Sequence, residues 1–305
     1  MIRREANFRR GLWRNRYIYL MVAPVLVYLA LIKYMPLWFI RISFYDYRLL
    51  RGFSGSNWVG LEHYKRLFSN PDWLHYIGNT LTLNIWALLI LAPAPLVFAL
   101  LLNELRGKHF KKTVQTISYL PHFISSVVVV SLINSFVSPS TGILAALSKA
   151  LGKIPVNYLS IPEFFVPINV ISGFWQSVGW DAVIYIAALS SIDAALYEAA
   201  RIDGAGRWRQ ILHVTLPGLL PTFMILLIMR VGGMLNVNFE KIYLLQNNLN
   251  LSASEMLPTF VYKSGMVNLN YSFATAAGLV NSILSVILVY ISNRASKRFT
   301  EASLF

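Results

Sequence analysis

The sequence predicts an all-α, polytopic membrane protein with six transmembrane helices, and three observations lead to this fold class. Of the 305 residues, 56% are hydrophobic and only 13% are charged, so the apolar surface exceeds what a soluble core of this length can bury. Six separate apolar stretches each reach the roughly 20 residues that a helix needs to cross a bilayer. Lys and Arg are concentrated in alternate segments between those stretches, a pattern typical of cytoplasmic membrane loops.

The six spans follow from the length and continuity of the apolar runs. A soluble helical bundle is the alternative, but each of its helices would show a polar face, and the run 88–102 has none. The predicted spans are 17–44, 80–102, 117–137, 164–189, 219–237 and 273–291. The first is the longest because Lys33, Pro36 and Arg41 are expected to extend it past the outer interface.

The basic residues give the orientation of the spans. One set of alternate segments comprises 1–16, 103–116, 190–218 and 292–305, and the other comprises 45–79, 138–163 and 238–272. The first set holds 16 Lys and Arg in 73 residues and the second holds 8 in 96. Positive segments stay in the cytoplasm, so both termini are predicted to be cytoplasmic. With no repeat or flexible linker in the sequence, residues 17–291 are predicted to form one transmembrane domain between the segment 1–16 and the basic tail 292–305.

Charge and residue content exclude several classes of function. The net charge of +14 would favour nucleic acid, but the basic residues form no continuous patch, so no nucleic-acid partner is predicted. Without any cysteine the chain has no disulfide and no thiolate metal site. The five histidines are scattered, so no metal site is expected, and His122 is expected to pack within a span. No phosphate-binding loop or catalytic motif is present, which argues against an enzyme.

The longest predicted inner loop, 190–218, carries the most specific pattern. Ser190 followed by Asp193 fits a capping box for a first helix, which Gly204 ends. A second helix is predicted over 207–214, stopping before Pro217 because proline cannot continue a helix. Alanines on one face beside charged residues give the first helix a shape suited to a groove in a partner protein.

Within this loop, Glu198, Ala199 and Ala200 are followed at fixed spacing by Gly204, Val214, Leu216 and Pro217. These residues resemble the signature of the binding-protein-dependent ABC importer permeases, which reads E-A-A, three residues, G, nine residues, I, one residue, L-P. Only Val214 departs from that signature, by replacing Ile.

The resemblance covers nearly the whole chain. Tyr197 and the run 201–205 resemble the sugar-permease branch, as do the YLPHF run at 119–123 and the GWDAVIYIAAL run at 179–189. The chain is most similar to permeases for complex oligosaccharides and polysaccharides, relatives of the maltose permease subunits.

The resemblance implies the type I ABC importer permease fold, in a bacterial inner membrane, with the loop 190–218 as a coupling helix docked on a separate ATPase. It implies that this chain holds no cofactor and that the ATPase binds ATP and Mg. It also implies a second homologous permease subunit, two ATPase subunits and an external solute-binding protein. The docking residues that it implies are Tyr197, Glu198, Ala199, Ala200, Arg201, Asp203 and Gly204.

Polar and aromatic residues within the later spans are candidates for a sugar pathway, because buried polar groups in membranes are costly and aromatic faces stack on sugar rings. They are Trp175, Gln176, Trp180, Asp181, Arg230, Asn236 and Asn238. Arg230 could attract an acidic sugar, or it could pair with Asp181 or snorkel. The tryptophans could equally anchor helices at the interface, and Asn247, Asn248 and Asn250 could meet a binding protein or form turns.

Small and helix-breaking residues inside the spans have two interpretations. Gly173, Gly179 and others could let helices approach closely or bend, or they could be ordinary kinks. Among competing functions, a secondary transporter driven by an ion gradient ranks second, since it would need paired acidic residues in spans and only Asp181 and Glu163 qualify. A membrane enzyme ranks third, because no cluster of His, Asp or Glu is visible.

Overall fold

The computed structural model describes residues 15–236 and 238–299, except the side chains of 236, 298 and 299. Most of the predicted N-terminal segment 1–16 and the end of the predicted tail, 300–305, lie outside the described residues. The helices are α1 Arg16–Tyr28, α2 Glu62–Phe68, α3 Trp73–Leu91, α4 Pro93–Glu104, α5 Lys108–Tyr119, α6 Ser126–Val137, α7 Ile143–Ala150, α8 Phe165–Ser190, α9 Ala194–Ile202, α10 Arg207–Gln210, α11 Leu216–Gly233, α12 Phe239–Leu245, α13 Leu251–Ser254, α14 Leu257–Tyr262 and α15 Tyr271–Phe299.

The described residues contain helices that match the six predicted spans. Four are long and apolar enough to cross a membrane unbroken: Arg16–Phe44, Trp73–Glu104, Arg207–Gly233 and Tyr271–Lys297. Two further candidates are bent pairs, Lys108–Phe123 with Ser126–Val137 at 99° and Pro162–Ser190 with Ala194–Ile202 at 69°. With Pro162–Ser190 taken as the fourth span and α9 as the loop helix after it, the described residues hold up to six candidate spans. The predicted all-α membrane fold is therefore confirmed.

The third span is broken where a continuous helix was expected. Ser125 has an extended backbone and caps α6 by accepting a hydrogen bond from the amide of Val128. Ahead of the break, Leu120–Phe123 is a tight 3-10 turn with proline at its start. Serine is a strong N-cap residue, and it starts a new helix here because the preceding turn has already ended the old one.

The prediction that a helix stops before Pro217 is wrong. The helix continues from Arg207 to Gly233, with Pro217 in the first turn of α11. A π-helical turn, Ile211–Thr215, directly precedes it. Proline lacks a backbone donor, and the wider turn shifts the hydrogen-bond register so that the missing donor does not end the helix.

One compact unit consists of the described residues up to Leu67 together with Ser264–Leu279. Its strands β1 (Tyr45–Arg48) and β2 (Gly52–Trp58) pair antiparallel in a short hairpin with an irregularity between Asp46 and Arg48. The Arg41 guanidinium lies 3.7 Å from the centre of the Phe53 ring on this hairpin. Such a contact between a cation and an aromatic face stabilises the hairpin against the preceding helix.

The second unit consists of Phe68–Lys263 and the described residues from Val280 onward. Two clusters of buried apolar side chains hold it together. One contains Phe165, Ile242 and Met256, and the other contains Ala182, Tyr185 and Leu219. Because α8 contributes to both clusters, it is the central helix of this unit. The prediction of a single domain over 17–291 stays a prediction.

Candidate coupling loop and membrane cavity

The loop after α8 forms the predicted helix, but with a different cap. Asp193 is the N-cap of α9, and its carboxylate accepts the amide hydrogen of Ala195 at 2.9 Å. Ser190 belongs to the last turn of α8, where its hydroxyl donates to the carbonyl of Ile186 at 3.1 Å. The predicted capping box with Ser190 is therefore wrong, because Ser190 already has a partner in its own helix and Asp193 is a sufficient cap alone.

Gly204 ends α9 in the left-handed conformation, with φ of +73°. The amide of Asp203 donates to the carbonyl of Ala199 at 3.0 Å, and that of Ala205 donates to the carbonyl of Ala200 at 2.8 Å. This is the usual way in which a glycine closes the last turn of a helix. The predicted turn at Gly204 is confirmed.

No residue of α9 is buried. Of the predicted docking residues, Glu198, Ala199, Arg201 and Asp203 are exposed, and Ala200 is half-buried. Tyr197 instead faces its own chain, with its hydroxyl 3.0 Å from the Thr215 hydroxyl.

Two large apolar side chains add to this exposed surface, and neither was predicted from the sequence to contact a partner. Ile202 is 87% exposed and Trp208 is 79% exposed. A tryptophan between two arginines in a predicted inner loop was the available signal, since aromatic side chains are enriched at protein interfaces.

The part of the loop that follows α9 makes contacts with the rest of its unit and within itself. The Arg207 guanidinium lies 3.5 Å from the carboxylate of Glu104 at the end of α4, and the Gln210 amide donates to the carbonyl of Ala205 at 2.8 Å. One ion pair between exposed side chains therefore ties the segment after α9 to α4.

A cavity of about 330 Å³ opens among α3, α8 and α11. Its lining residues are Asn84, Ala87, Leu88, Leu91, His122, Ser126, Gly173, Gln176, Ser177, Asp181, Arg230, Met234, Asn238 and Lys241. Four of the predicted pathway residues, Gln176, Asp181, Arg230 and Asn238, meet here. Trp175 and Trp180 are not among the lining residues, and the side chain of Asn236 lies outside the described residues. In the part of the chain that the structure describes, no group of three His, Asp or Glu side chains could hold a metal ion.

Arg230 forms an ion pair with Asp181, its Nη2 lying 2.8 Å from Oδ2 of the carboxylate. Both side chains are about one-third exposed, at 32% and 29%. A smaller cavity of about 230 Å³ lies further along α8, and Asp181 and Arg230 line both cavities. The ion-pair interpretation of Arg230 is therefore the one that the structure supports, and the pair stands at the junction between the two cavities.

Lys241 is a cavity residue that sequence reasoning missed. It follows the fifth span and was counted among the outer-loop charges, yet it is only 2% exposed. Its ammonium donates to the carbonyl of Asn169 and to the hydroxyl of Ser172, each at 3.0 Å. Burial lowers the pKa of Lys241 to about 8. In the sequence, its apolar neighbours Ile242 and Leu245 were the signal that could have revealed it.

His122 lies at the break within the third span and packs there on a ring of α8, in line with the expectation. It lies exposed in the 3-10 turn Leu120–Phe123, lines the cavity and stacks on Trp180 with ring centres 4.7 Å apart and planes 7° apart. Tyr119 and Phe123 contact the same indole ring. The predicted pathway residue Trp180 thus contacts a residue that lines the cavity but does not line it itself.

Two asparagines of the last predicted outer loop build turns. Asn250 is fully buried, and its amide donates to the carbonyls of Leu159 and Leu245 at 2.9 and 3.1 Å. Asn247 donates to the same Leu159 carbonyl and accepts from the amide of Leu249. Of the two interpretations of this segment, the turn is the one that these hydrogen bonds support for Asn247 and Asn250.

Relatives match the chain over almost its whole length. Protein LplB of Bacillus subtilis is 40% identical over 299 residues, covering 98% of this chain and 94% of the relative. The polygalacturonan/rhamnogalacturonan transport system permease protein YteP of the same organism is 41% identical over 292 residues, covering 96% and 91%.

A solved structure also matches, that of a bacterial ABC transporter involved in the import of the acidic polysaccharide alginate. It has a TM-score of 0.89 and 36% identity, covering 96% of this chain and 99% of that one. A second structure, of the bacterial alginate ABC transporter in complex with alginate pentasaccharide-bound periplasmic protein, has a TM-score of 0.88. Residues 92–301 match the family described as binding-protein-dependent transport system inner membrane component. The chain therefore belongs to this family and is the membrane-spanning permease component of an ABC importer.

Proposed function

We propose that this permease imports an oligosaccharide or polysaccharide by alternating access, driven by separate ATPase subunits that dock on α9. The observation that carries the proposal is the exposure of an E-A-A helix, Glu198 to Ala200, on a loop anchored to the transmembrane helices. Exposed apolar side chains at Ile202 and Trp208 beside charged ones suit a partner's cleft, where a buried aromatic anchor contributes most of the binding energy.

The coupling step needs only rigid-body movement. Nucleotide-driven closure of two ATPase subunits displaces α9, and the Arg207–Glu104 contact passes the displacement to the spans. ATP and Mg are bound by the ATPase, so this chain supplies no catalytic residue and no cofactor site. Both termini and α9 lie on the cytoplasmic side, where the basic segments are concentrated.

The names of the relatives support a sugar substrate. YteP is named for polygalacturonan and rhamnogalacturonan transport, and AraP of Bacillus subtilis, 30% identical, is named for arabinooligosaccharides. The alginate transporter acts on an acidic polysaccharide. Amides and hydroxyls in the cavity of this chain, at Asn84, Gln176 and Ser177, offer the donors and acceptors that sugar hydroxyls require.

The complete importer needs further chains. One permease presents one docking helix, so a second, homologous permease completes the pore and two ATPases bind the pair. An external solute-binding protein delivers the sugar, as the periplasmic protein in the alginate complex suggests. A secondary transporter loses one of its two acidic candidates because Asp181 is paired with Arg230.

The Glu198→Lys variant tests the docking assignment. Charge reversal on the exposed docking face should lower recovery of the ATPase in affinity purification and sugar uptake by about 100-fold, because like charges placed together at an interface cost several kcal/mol. Membrane insertion should be unchanged.

Glu163→Lys, an equal charge reversal at an exposed residue of the predicted outer side, is the matched control and should retain both activities. Normal uptake by Glu198→Lys would refute the docking site. Because the chain has no natural cysteine, an Ala199→Cys variant tests the orientation: an impermeant maleimide should label it in inside-out vesicles only.

A further inference from the structure

We propose that Lys241 selects carboxylate-bearing sugars by placing its ammonium group against a uronate carboxylate in the cavity. The inference rests on the proposed sugar import and adds a substrate class and the residue that recognises it. It replaces Arg230, the residue that the sequence had suggested for this role.

The charges of the cavity identify Lys241. Asp181 and Arg230 neutralise one another across 2.8 Å. Lys241 lines the same cavity, and no carboxylate oxygen within the described residues lies within ion-pair distance of it. The three charges leave one positive charge in excess, held by a side chain that is 2% exposed. A cation held this far from water attracts an anion more strongly than an exposed lysine does.

The hydrogen bonds of Lys241 position it and leave it capacity for a ligand. An ammonium group has three donors. Two of them bond neutral acceptors of α8, the Asn169 carbonyl and the Ser172 hydroxyl, which fix the group without cancelling its charge. Residue 173 is glycine, and a Cβ there would lie 3.7 Å from the Lys241 nitrogen. The glycine therefore places no side chain beside the ammonium on this part of α8.

The surrounding side chains suit the rest of a sugar ring. Asn84 and Gln176 line the cavity; each amide donates to one backbone carbonyl, of Thr80 and Ile124 respectively, and its oxygen is an acceptor. Asn238 lies three residues before Lys241 with a left-handed backbone. A uronate ring needs one charge-assisted contact for its carboxylate and neutral partners for its hydroxyls. The cavity combines both. A purely structural lysine, tying α12 to α8, would instead affect all substrates equally.

The test compares two probes in the reconstituted full importer: trigalacturonate, and the same trisaccharide with its carboxylates reduced to alcohols. ATP-dependent uptake into proteoliposomes is measured for wild type, Lys241→Met and Lys241→Arg. We expect Lys241→Met to lose at least tenfold in the ratio of acidic to neutral uptake, with neutral uptake within twofold of wild type, and Lys241→Arg to keep most of the ratio. Lys153→Met, which removes an exposed lysine, should leave the ratio unchanged.

Chemical rescue separates charge from structure. The chain has no cysteine, so Lys241→Cys creates its single thiol, and unsubstituted importer shows any background from the partner chains. An aminoethyl thiosulfonate reagent adds an ammonium at that position and should restore acidic uptake, whereas a methyl thiosulfonate reagent adds a neutral group and should not. Trigalacturonate should also slow the modification more than the reduced probe does.

Several results would contradict the selection of acidic sugars by Lys241. Equal loss of both probes in Lys241→Met, or rescue by the neutral reagent, would assign Lys241 a structural role and overturn it. Wild-type importer that moves only the reduced probe would overturn it while sparing sugar import. If the wild-type importer moved neither probe, the inference about Lys241 would also be refuted. That result would count against sugar import itself only if a wider panel of glycans also failed to stimulate the ATPase.

Discussion

The coupling loop and the membrane cavity are built in opposite ways. The contacts that begin and end α9 are local: Asp193 caps its own helix and Gly204 closes the last turn through neighbours a few residues away. In the cavity the decisive contacts join residues far apart in sequence, with Arg230 bonded to Asp181 across 49 positions and Lys241 to Asn169 across 72. The ends of an exposed helix can be encoded locally, whereas a cavity depends on how the helices pack.

The largest effect is expected from removing one member of the ion pair between Arg230 and Asp181. Arg230→Met leaves the carboxylate of Asp181 without its partner between two cavities, which should cost about 1–3 kcal/mol and lower uptake of acidic and neutral sugars alike. The melting temperature of the purified permease in detergent measures the first effect, and proteoliposome uptake measures the second.

The double variant Asp181→Asn/Arg230→Met is the matched control. Removing both charges should restore most of the stability, because neither group is then left uncompensated. A selective loss of acidic uptake in Arg230→Met, with the melting temperature unchanged, would instead make Arg230 a substrate residue and weaken the case for Lys241.

The next largest effect on stability is expected from a substitution where α8 packs closely against α5. A methyl group on Gly179 of α8 would collide with the backbone carbonyl of Ser118 in α5, and neither backbone can yield cheaply. Gly179→Ala should therefore destabilise the permease by about 1–3 kcal/mol, the usual cost of overpacking, seen as a lower melting temperature.

Gly173→Ala in the same helix is the comparison variant, because a Cβ there meets Leu91 at an ordinary 3.5 Å. It should melt within a degree or two of wild type, as small changes without a clash generally do. Equal destabilisation by both variants would attribute the effect to helix bending rather than to close approach.

The smallest effect is expected for a substitution at the end of α9, in the coupling loop. Gly204 has φ of +73° and open space around its missing side chain, so Gly204→Ala costs only backbone strain, about 1–2 kcal/mol. This should loosen the end of α9 and weaken ATPase binding severalfold while the membrane fold stays intact, as measured by titrating ATPase onto the purified permease.

Gly206→Ala sharpens that result. Gly206 also has open space but a negative φ of −70°, so alanine there should bind the ATPase normally. If the two variants weakened binding equally, local backbone geometry would not be what shapes the docking surface.

The difference between the regions also explains which sequence-based predictions succeeded. The all-α membrane fold, with four to six candidate spans, and the turn at Gly204 were predicted correctly, because both depend on properties of adjacent residues. The roles proposed for the docking residues stay predictions. Four cavity residues, Gln176, Asp181, Arg230 and Asn238, could be chosen because polar groups inside apolar runs are conspicuous.

The errors arise where distant residues decide the outcome. Lys241 looked like a charge of an outer loop, and only the packing of α12 on α8 buries it. Ser190 fits a capping box by spacing, but the helix before it continues to that residue. Pro217 would end an isolated helix, whereas here a π turn lets the span continue.

By itself, the sequence determined that the chain crosses the membrane and carries an exposed E-A-A helix, because hydrophobic length, charge bias and capping act over a few residues. Only the tertiary structure decided that Asp181 neutralises Arg230 and leaves Lys241 as the cavity's excess positive charge. The physical reason is that the partners of a buried charge are chosen in space, by helices that meet far apart in sequence.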